Sequence, residues 1–243
     1  MSLWIKICGN TTLADALLAA EAGADAVGFV LVPSPRHVAA ERVAAIVPRL
    51  PAALEKVGVF VDATFDEIAA AVVVAGLTGV QLHFDASPEL PAQLRARFGP
   101  KLRILRVVHF TAEIAEPIAP AIAGDSNIDT ILIDTRTAIA VGGTGEAFDW
   151  SQASTTIFQN AKVRDRQLVA AGGLTPENVA EAISTLRPWG VDVASGVEAA
   201  PGRKNPVKVR AFIANARAED VRLDKGRAFG KNLDEARLKP HSE

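Results

Sequence analysis

The chain has 243 residues, 49% of them hydrophobic, and a formal net charge of −2. That size suits one large domain or two small ones, and the charge balance gives no electrostatic reason to expect nucleic acid or an anionic membrane as partner. A single cysteine cannot close an internal disulfide, the opening residues lack the apolar stretch of a signal peptide, and no run approaches the roughly 18 apolar residues of a membrane span, so the expectation is a soluble cytoplasmic protein.

Along the chain, short apolar runs alternate with stretches of helical period. The first run is LWIKIC (3–8), followed by TTLADALLAAEAGA (11–24). Then come AVGFVL (26–31), KVGVFV (56–61), GVQLHF (79–84), LRILRVV (102–108), IDTILID (128–134), RQLVAAG (166–172) and GVDVAS (190–195). Amphipathic stretches lie between them, such as FDEIAAAVVVAG (65–76), PELPAQLRARFG (88–99) and TPENVAEAISTLR (175–187). Eight such strand–helix units predict an α/β fold of the closed (β/α)8 TIM-barrel type, in a single domain over residues 1–217. A doubly wound open sheet competes, but its first turn would carry a glycine-rich dinucleotide fingerprint, and CGNTT (8–12) does not. The last helix is expected over NPVKVRAFIANAR, ending near Arg217. Residues 218–243 are dense in charge and poor in apolar side chains, which predicts a solvated polar tail.

Side chains alternate along a strand, so residues two apart share a face. Ile5 and Ile7 oppose Lys6 and Cys8; Val80 and Leu82 oppose Gln81 and His83; Ile131 and Ile133 oppose Leu132 and Asp134; Val191 and Val193 oppose Asp192. The apolar sets suit a layer under the helices. The polar sets then line the barrel interior near the strands' C-terminal ends, the face that carries the active site in this fold. Each polar residue also has a plainer reading. Cys8 suits a small core position, Asp134 a loop cap, His83 a satisfied interior histidine and Arg36 an exposed surface arginine.

Two glycine-bearing turns follow the last two strands: AAGGLTPENV, with Gly172 and Gly173, and ASGVEAAPG, with Ser195 and Gly196. Thr175 is an expected N-cap and Pro176 an expected first helical residue. Exposed N–H groups at such turns favour anions, and barrels often seat phosphate after strands seven and eight. Both turns in that order predict a phosphate site rather than two ordinary connections.

Taken as a set, KICGNT, GADAVGF, PSPR, VGVFVD, VQLH, ILIDTRT with GGTGEAFDW, AAGGLTPENV and VDVASGVEAAPG, in order over residues 5–202, resemble the phosphoribosylanthranilate isomerase family of tryptophan biosynthesis. The resemblance implies a TIM barrel that needs no cofactor or metal and carries out an Amadori rearrangement of N-(5-phosphoribosyl)anthranilate. It implies Cys8 as general base, Asp134 as general acid, and Arg36 as the holder of the anthranilate carboxylate. Lys6, Gln81, His83, Gly142, Gly143 and Asp192 are expected around the substrate. Gly172, Gly173, Ser195 and Gly196 are expected at its phosphate. The glycines of 135–146 suit a cover over the bound substrate. The chain departs from the family's pattern at Phe84, where glycine is frequent, and at Arg203 and Asn205, where valine and aspartate are frequent.

The chemistry fits those residue types. Ring opening of the aminoaldose needs an acid, and burial can keep a carboxyl protonated for it. Removal of the adjacent sugar C–H needs a base, which a thiolate can be, with Lys6 supplying positive charge two residues away. Pro33 and Pro35 stiffen the approach to Arg36, whose planar fork matches a benzoate carboxylate. The expected partner is a small phosphorylated molecule, with the chain a monomer or homodimer. The rival readings are a histidine-pathway aminoaldose–ketose isomerase, with aspartate where this chain has Cys8, an indole-glycerol-phosphate synthase, and a non-catalytic phosphate-binding barrel.

Overall fold

In the computed structural model, which describes residues 2–83, 86–109, 124–134, 150–159 and 166–237, all eight expected strands form. They are β1 (Trp4–Ile7), β2 (Ala26–Val30), β3 (Glu55–Phe60), β4 (Gly79–Leu82), β5 (Arg103–His109), β6 (Thr130–Asp134), β7 (Gln167–Ala171) and β8 (Gly190–Val193). Each pairs in parallel with the next, and β8 closes onto β1 with Lys6 opposite Asp192. The helices are α1 (Leu13–Glu21), α2 (Ala40–Ile46), α3 (Phe65–Ala75), α4 (Leu90–Phe98), α5 (Trp150–Ala153, continuing as a π-turn to Phe158), α6 (Val179–Leu186) and α7 (Pro206–Arg237). A small antiparallel hairpin, β9 (Glu198–Ala200) with β10 (Arg203–Lys204), sits between β8 and α7.

The alternation along each strand sorts the core into two layers. Ile5, Ile7, Phe29, Leu82, Ile133 and Val191 face outward and pack under the helices in one continuous cluster. Trp4, Ala26, Leu105, Val107, Leu132 and Val169 face inward and fill the barrel in a second. Two of the helix starts use side-chain capping. The Thr12 hydroxyl accepts from the Asp15 N–H at α1, and Thr64 with Glu67 forms a reciprocal capping box at α3, which ends on Gly76 at φ 64°. At α6 the helix proper begins at Val179, later than expected. Thr175 and Pro176 belong to the turn before it: the Thr175 hydroxyl takes the Glu177 N–H, while Asn178 Oδ1 takes the Thr175 N–H and its amide donates to the Gly173 carbonyl. That turn thereby pins the second glycine of the β7 connection.

The last helix does not stop near Arg217; it runs to Arg237. Arg217, Asp220 and Leu223 are three apart and so share a face of α7. Arg217 donates to the Leu3 and Gly23 carbonyls and to Asp25, Asp220 accepts the Leu3 N–H at 2.8 Å, and Leu223 is buried. One stripe of contacts is enough to carry a polar helix beyond the point where its composition changes.

Removing the Asp220 carboxylate strands the Leu3 N–H in a part-buried position, at a cost of about 1 kcal/mol. Asp220→Ala is therefore expected to lower Tm by about 2–4 °C in thermal denaturation. An unchanged Tm would mean that α7 is not anchored through this contact.

Candidate active site

A cavity of about 290 Å³ opens at the C-terminal ends of the strands. Cys8, from the end of β1, and Asp134, the last residue of β6, both line it. Gln81, His83 and Asp192 reach it from β4, the β4 end and β8, Arg36 from the loop after β2, and Gly172, Gly173 and Ser195 from the turns after β7 and β8. Going round the ring from β6, the order is the carboxyl, the two glycine-bearing turns, the thiol and the guanidinium. Gly196 stands behind the lining: a Cβ on it would fall 1.9 Å from the Leu174 carbonyl oxygen, so it lets the two turns touch. Phe84, Gly142 and Gly143 lie outside the described residues.

Lys6, expected at the substrate, is fully buried two residues deeper on the face of Cys8. Its ammonium donates to Asp192 Oδ1 at 2.9 Å and to Gln81 Oε1 at 2.8 Å. Burial alone would push the Lys6 ammonium down, but the charge and hydrogen bond of Asp192, with Cys8 beside it, outweigh burial and hold Lys6 above its ordinary value. Cys8 shows the opposite balance. Burial is the largest influence and raises the thiol; Lys6 pulls it down, Asp192 adds to the rise, Lys204 pulls down, and burial wins. Lys6 thus moderates the thiol without making it a resting thiolate. His83 meets His109, from the end of β5, with ring centroids 5.7 Å apart and planes tilted by 45°.

Glycines shape both reactive positions. A Cβ on Gly28, in β2, would sit 2.6 Å from Cys8 Sγ, so the neighbouring strand leaves the space the sulfur occupies. Gly9 takes a φ of 73°, in the left-handed region, and a Cβ there would fall 2.8 Å from Arg36 Cδ. The CGN turn therefore carries a glycine because the Arg36 stem lies against it. Asn10 ties the turn down through bonds to the Ile7 and Gly28 carbonyls.

Two residues that alternation does not single out stand buried behind the lining. Glu198 accepts from Arg36 through both oxygens, Nε at 2.9 Å and Nη2 at 2.7 Å. Lys204 donates to Glu198 at 3.2 Å, to the Cys8 carbonyl at 2.5 Å and to the Ala194 carbonyl at 3.2 Å. Burial pushes the Glu198 carboxyl up, but bonds from Arg36 and the charge of Lys204 outweigh it and leave it below its ordinary value. Burial pushes Lys204 down, and Glu198 only partly offsets that. SGVE and PGRK were the visible signals for these residues; their pairing across the hairpin was not.

A second, wider cavity lies at the other end of the barrel. Its Arg103 is paired with Glu55 at 2.8 Å and bonded to Gln167 at 2.7 Å. Among the described residues no group of three or more His, Cys, Asp or Glu is placed to hold a metal ion, and no helix is long and apolar enough to cross a membrane.

A family model described as N-(5'-phosphoribosyl)anthranilate (PRA) isomerase matches residues 5–215. The N-(5'-phosphoribosyl)anthranilate isomerase of Geobacter sp. (strain M21) is 42% identical over 88% of this chain and 97% of its own length. That of Citrifermentans bemidjiense is 44% identical over 88% of this chain and 96% of its own. Among solved structures, the phosphoribosyl anthranilate isomerase of Thermotoga maritima superposes with a TM-score of 0.78 at 39% identity, covering 89% of this chain and 99% of that one. Another, at 36% identity and a TM-score of 0.75 over 89% of this chain and 99% of that one, is a phosphoribosyl anthranilate isomerase in complex with reduced 1-(o-carboxyphenylamino)-1-deoxyribulose 5-phosphate.

The balance at Cys8 can be measured directly. The chain has one cysteine and no tyrosine, so the ultraviolet absorbance of the thiolate is free of tyrosinate. The wild-type thiol is expected to titrate above the ordinary cysteine range of about 8.5. Lys6→Met removes the cation that favours the anion and is expected to move the inflection to higher pH still. A titration unmoved by Lys6→Met would remove Lys6 as an influence on the sulfur.

Proposed function

The chain belongs to the N-(5'-phosphoribosyl)anthranilate isomerase family, and on that premise we propose that it converts N-(5'-phosphoribosyl)anthranilate to 1-(2-carboxyphenylamino)-1-deoxyribulose 5-phosphate in tryptophan biosynthesis, with Cys8 as general base and Asp134 as general acid. The observation that carries this reading is the convergence of a thiol, a carboxyl, an arginine fork and two glycine turns on one cavity. The substrate has matching parts in matching order. Its phosphate goes to the turns of Gly172, Gly173 and Ser195, with Gly196 holding those turns together, and its benzoate carboxylate to Arg36 on the far side of Cys8. The sugar carbons C1 and C2 then lie between the thiol and Asp134, with Gln81, His83 and Asp192 around the ribose.

The reaction follows in three steps. Asp134 gives its proton to the ring oxygen as the C1–O bond breaks, and the anilino nitrogen's lone pair forms the C1–N iminium. The Cys8 thiol gives its proton to solvent as the iminium forms beside it, and the thiolate takes the proton from C2; the C–H electron pair becomes the C1–C2 double bond of the enolamine as the C1–N π pair returns to nitrogen. The enol proton then passes to the Asp134 carboxylate and the sulfur's proton to C1, giving the ketone, a protonated Asp134 and a thiolate that takes a proton back from solvent as the product leaves. The iminium is a positive charge formed beside the sulfur, and it favours the anion that burial disfavours in the empty site. The reaction needs no cofactor, and a cytoplasmic monomer or homodimer is the corresponding setting.

Cys8→Ala and Asp134→Asn each remove one proton carrier and are each expected to lower kcat by on the order of 10²–10⁴-fold with a small change in KM. The measurement is NMR of aminoketose formation from the phosphoribosylated anthranilate. Either variant turning over within a few-fold of wild type would take that residue out of the mechanism. Binding of the substrate by the wild type without conversion would favour a silent barrel.

A further inference from the structure

Arg36 is presented by a short loop, and its fork is not free to choose its own direction. Glu198 grips one edge of the guanidinium through both carboxylate oxygens, while the Arg36 side chain keeps 25% exposure and Glu198 keeps 5%. Glu198 Oε1 is shared: it takes Arg36 Nε at 2.9 Å, Lys204 Nζ at 3.2 Å and the Gly202 N–H at 3.3 Å. Lys204 is wholly buried at its side chain and is fixed by the carbonyls of Cys8 and Ala194, which follow β1 and β8. The guanidinium, the carboxylate, the ammonium and the backbone of Cys8 thus form one unbroken chain of polar contacts. Gly202, at φ 76°, brings the hairpin within reach: a Cβ there would lie 3.1 Å from the Pro35 carbonyl oxygen and 3.8 Å from Arg36 Cα.

We propose that Glu198, itself held by Lys204, is the positioning residue that aims Arg36 at the aromatic carboxylate and fixes that clamp at a set distance from Cys8. The inference rests on the assignment of Arg36 to that carboxylate. A bidentate partner on one edge leaves the guanidinium one orientation in place of several rotamers, so the ordering cost is met before the ligand arrives. Charge fits as well: with Lys204 protonated, two cations and one carboxylate sum to +1, which one incoming carboxylate neutralises. Without Glu198 the carboxylate shared by the two cations is lost.

The test compares two ligands that differ only in the group Arg36 would hold: the reduced aminoketose phosphate bearing the 2-carboxyphenyl group, and the same compound bearing plain phenyl. Dissociation constants are measured by calorimetry for wild type, Arg36→Met, Glu198→Gln, Lys204→Met and the Arg36→Met/Glu198→Gln double variant. Glu198→Gln keeps the side chain's shape but turns one acceptor into a donor facing the guanidinium. It is expected to weaken the carboxylated ligand by about tenfold and leave the phenyl ligand within twofold, a loss of the kind a misaimed clamp gives. Lys204→Met is expected to show the same selectivity, and the double variant to be no weaker than Arg36→Met alone. If Arg36→Met is selective for the carboxylated ligand but Glu198→Gln is not, or if Glu198→Gln weakens both ligands alike, the positioning role falls while the assignment of Arg36 stands. If Arg36→Met weakens both ligands alike, the assignment of Arg36 falls and this inference falls with it.

Discussion

The ion pair between Lys6 and Asp192, across the seam where β8 closes onto β1, is the contact on which the mouth of the barrel depends. Both charges are taken out of water, and such a pair offsets its desolvation only when its geometry is good and its remaining donors are satisfied. Here the strand register sets the two residues opposite each other, the bond is 2.9 Å, and Gln81 supplies a second acceptor at 2.8 Å. Losing one partner of such a pair typically costs about 3–5 kcal/mol, because the other is left charged and buried. The arrangement thus favours one ring closure over slipped ones, since a slip by one residue turns Lys6 and Asp192 out of the barrel and their apolar neighbours in.

Cys8 stands directly above that pair, and its chemistry is set by a competition. Burial favours the neutral thiol, and Lys6 from below and Lys204 beside its carbonyl favour the anion without overcoming burial. In the proposed reaction this balance has a use. A thiol that stays protonated in the empty site is a poor nucleophile toward stray electrophiles, and becomes a base when a cationic iminium forms against it. Lys204 also links the Cys8 backbone, through Glu198, to Arg36, so the proposed base and the proposed carboxylate holder are referred to one backbone position.

Much of the fold was legible because a parallel barrel strand is buried on both faces and flanked by helices, so it reads as a short apolar run with polar residues at its C-terminal end. The same two facts, face from alternation and height from the strand end, brought Cys8, Gln81, His83, Asp134 and Asp192 to one cavity. They did not fix depth: Lys6 shares the face of Cys8 but lies beneath the floor. Gly28 was missed because a glycine inside a strand shows no partner, and its partner is the sulfur on the next strand. Glu198 and Lys204 were missed because they meet through a hairpin outside the barrel, where no period relates them. The end of α7 was misplaced because composition turns polar after Arg217, while Asp220 and Leu223 continue the anchoring face one turn at a time.

The central claim is that the Cys8 sulfur meets the sugar carbons of the same bound molecule whose carboxylate the Arg36 fork holds. The most direct measurement is a crystal structure of this protein with the reduced carboxyphenylamino deoxyribulose phosphate. The account predicts Sγ in contact with the ligand's C2, at about 3–3.5 Å, with the carboxylate on Arg36 and the phosphate on the turns of Gly172, Gly173 and Ser195. A ligand seated in the reverse sense, or a sulfur screened from it by Leu132 and Val193, would contradict it.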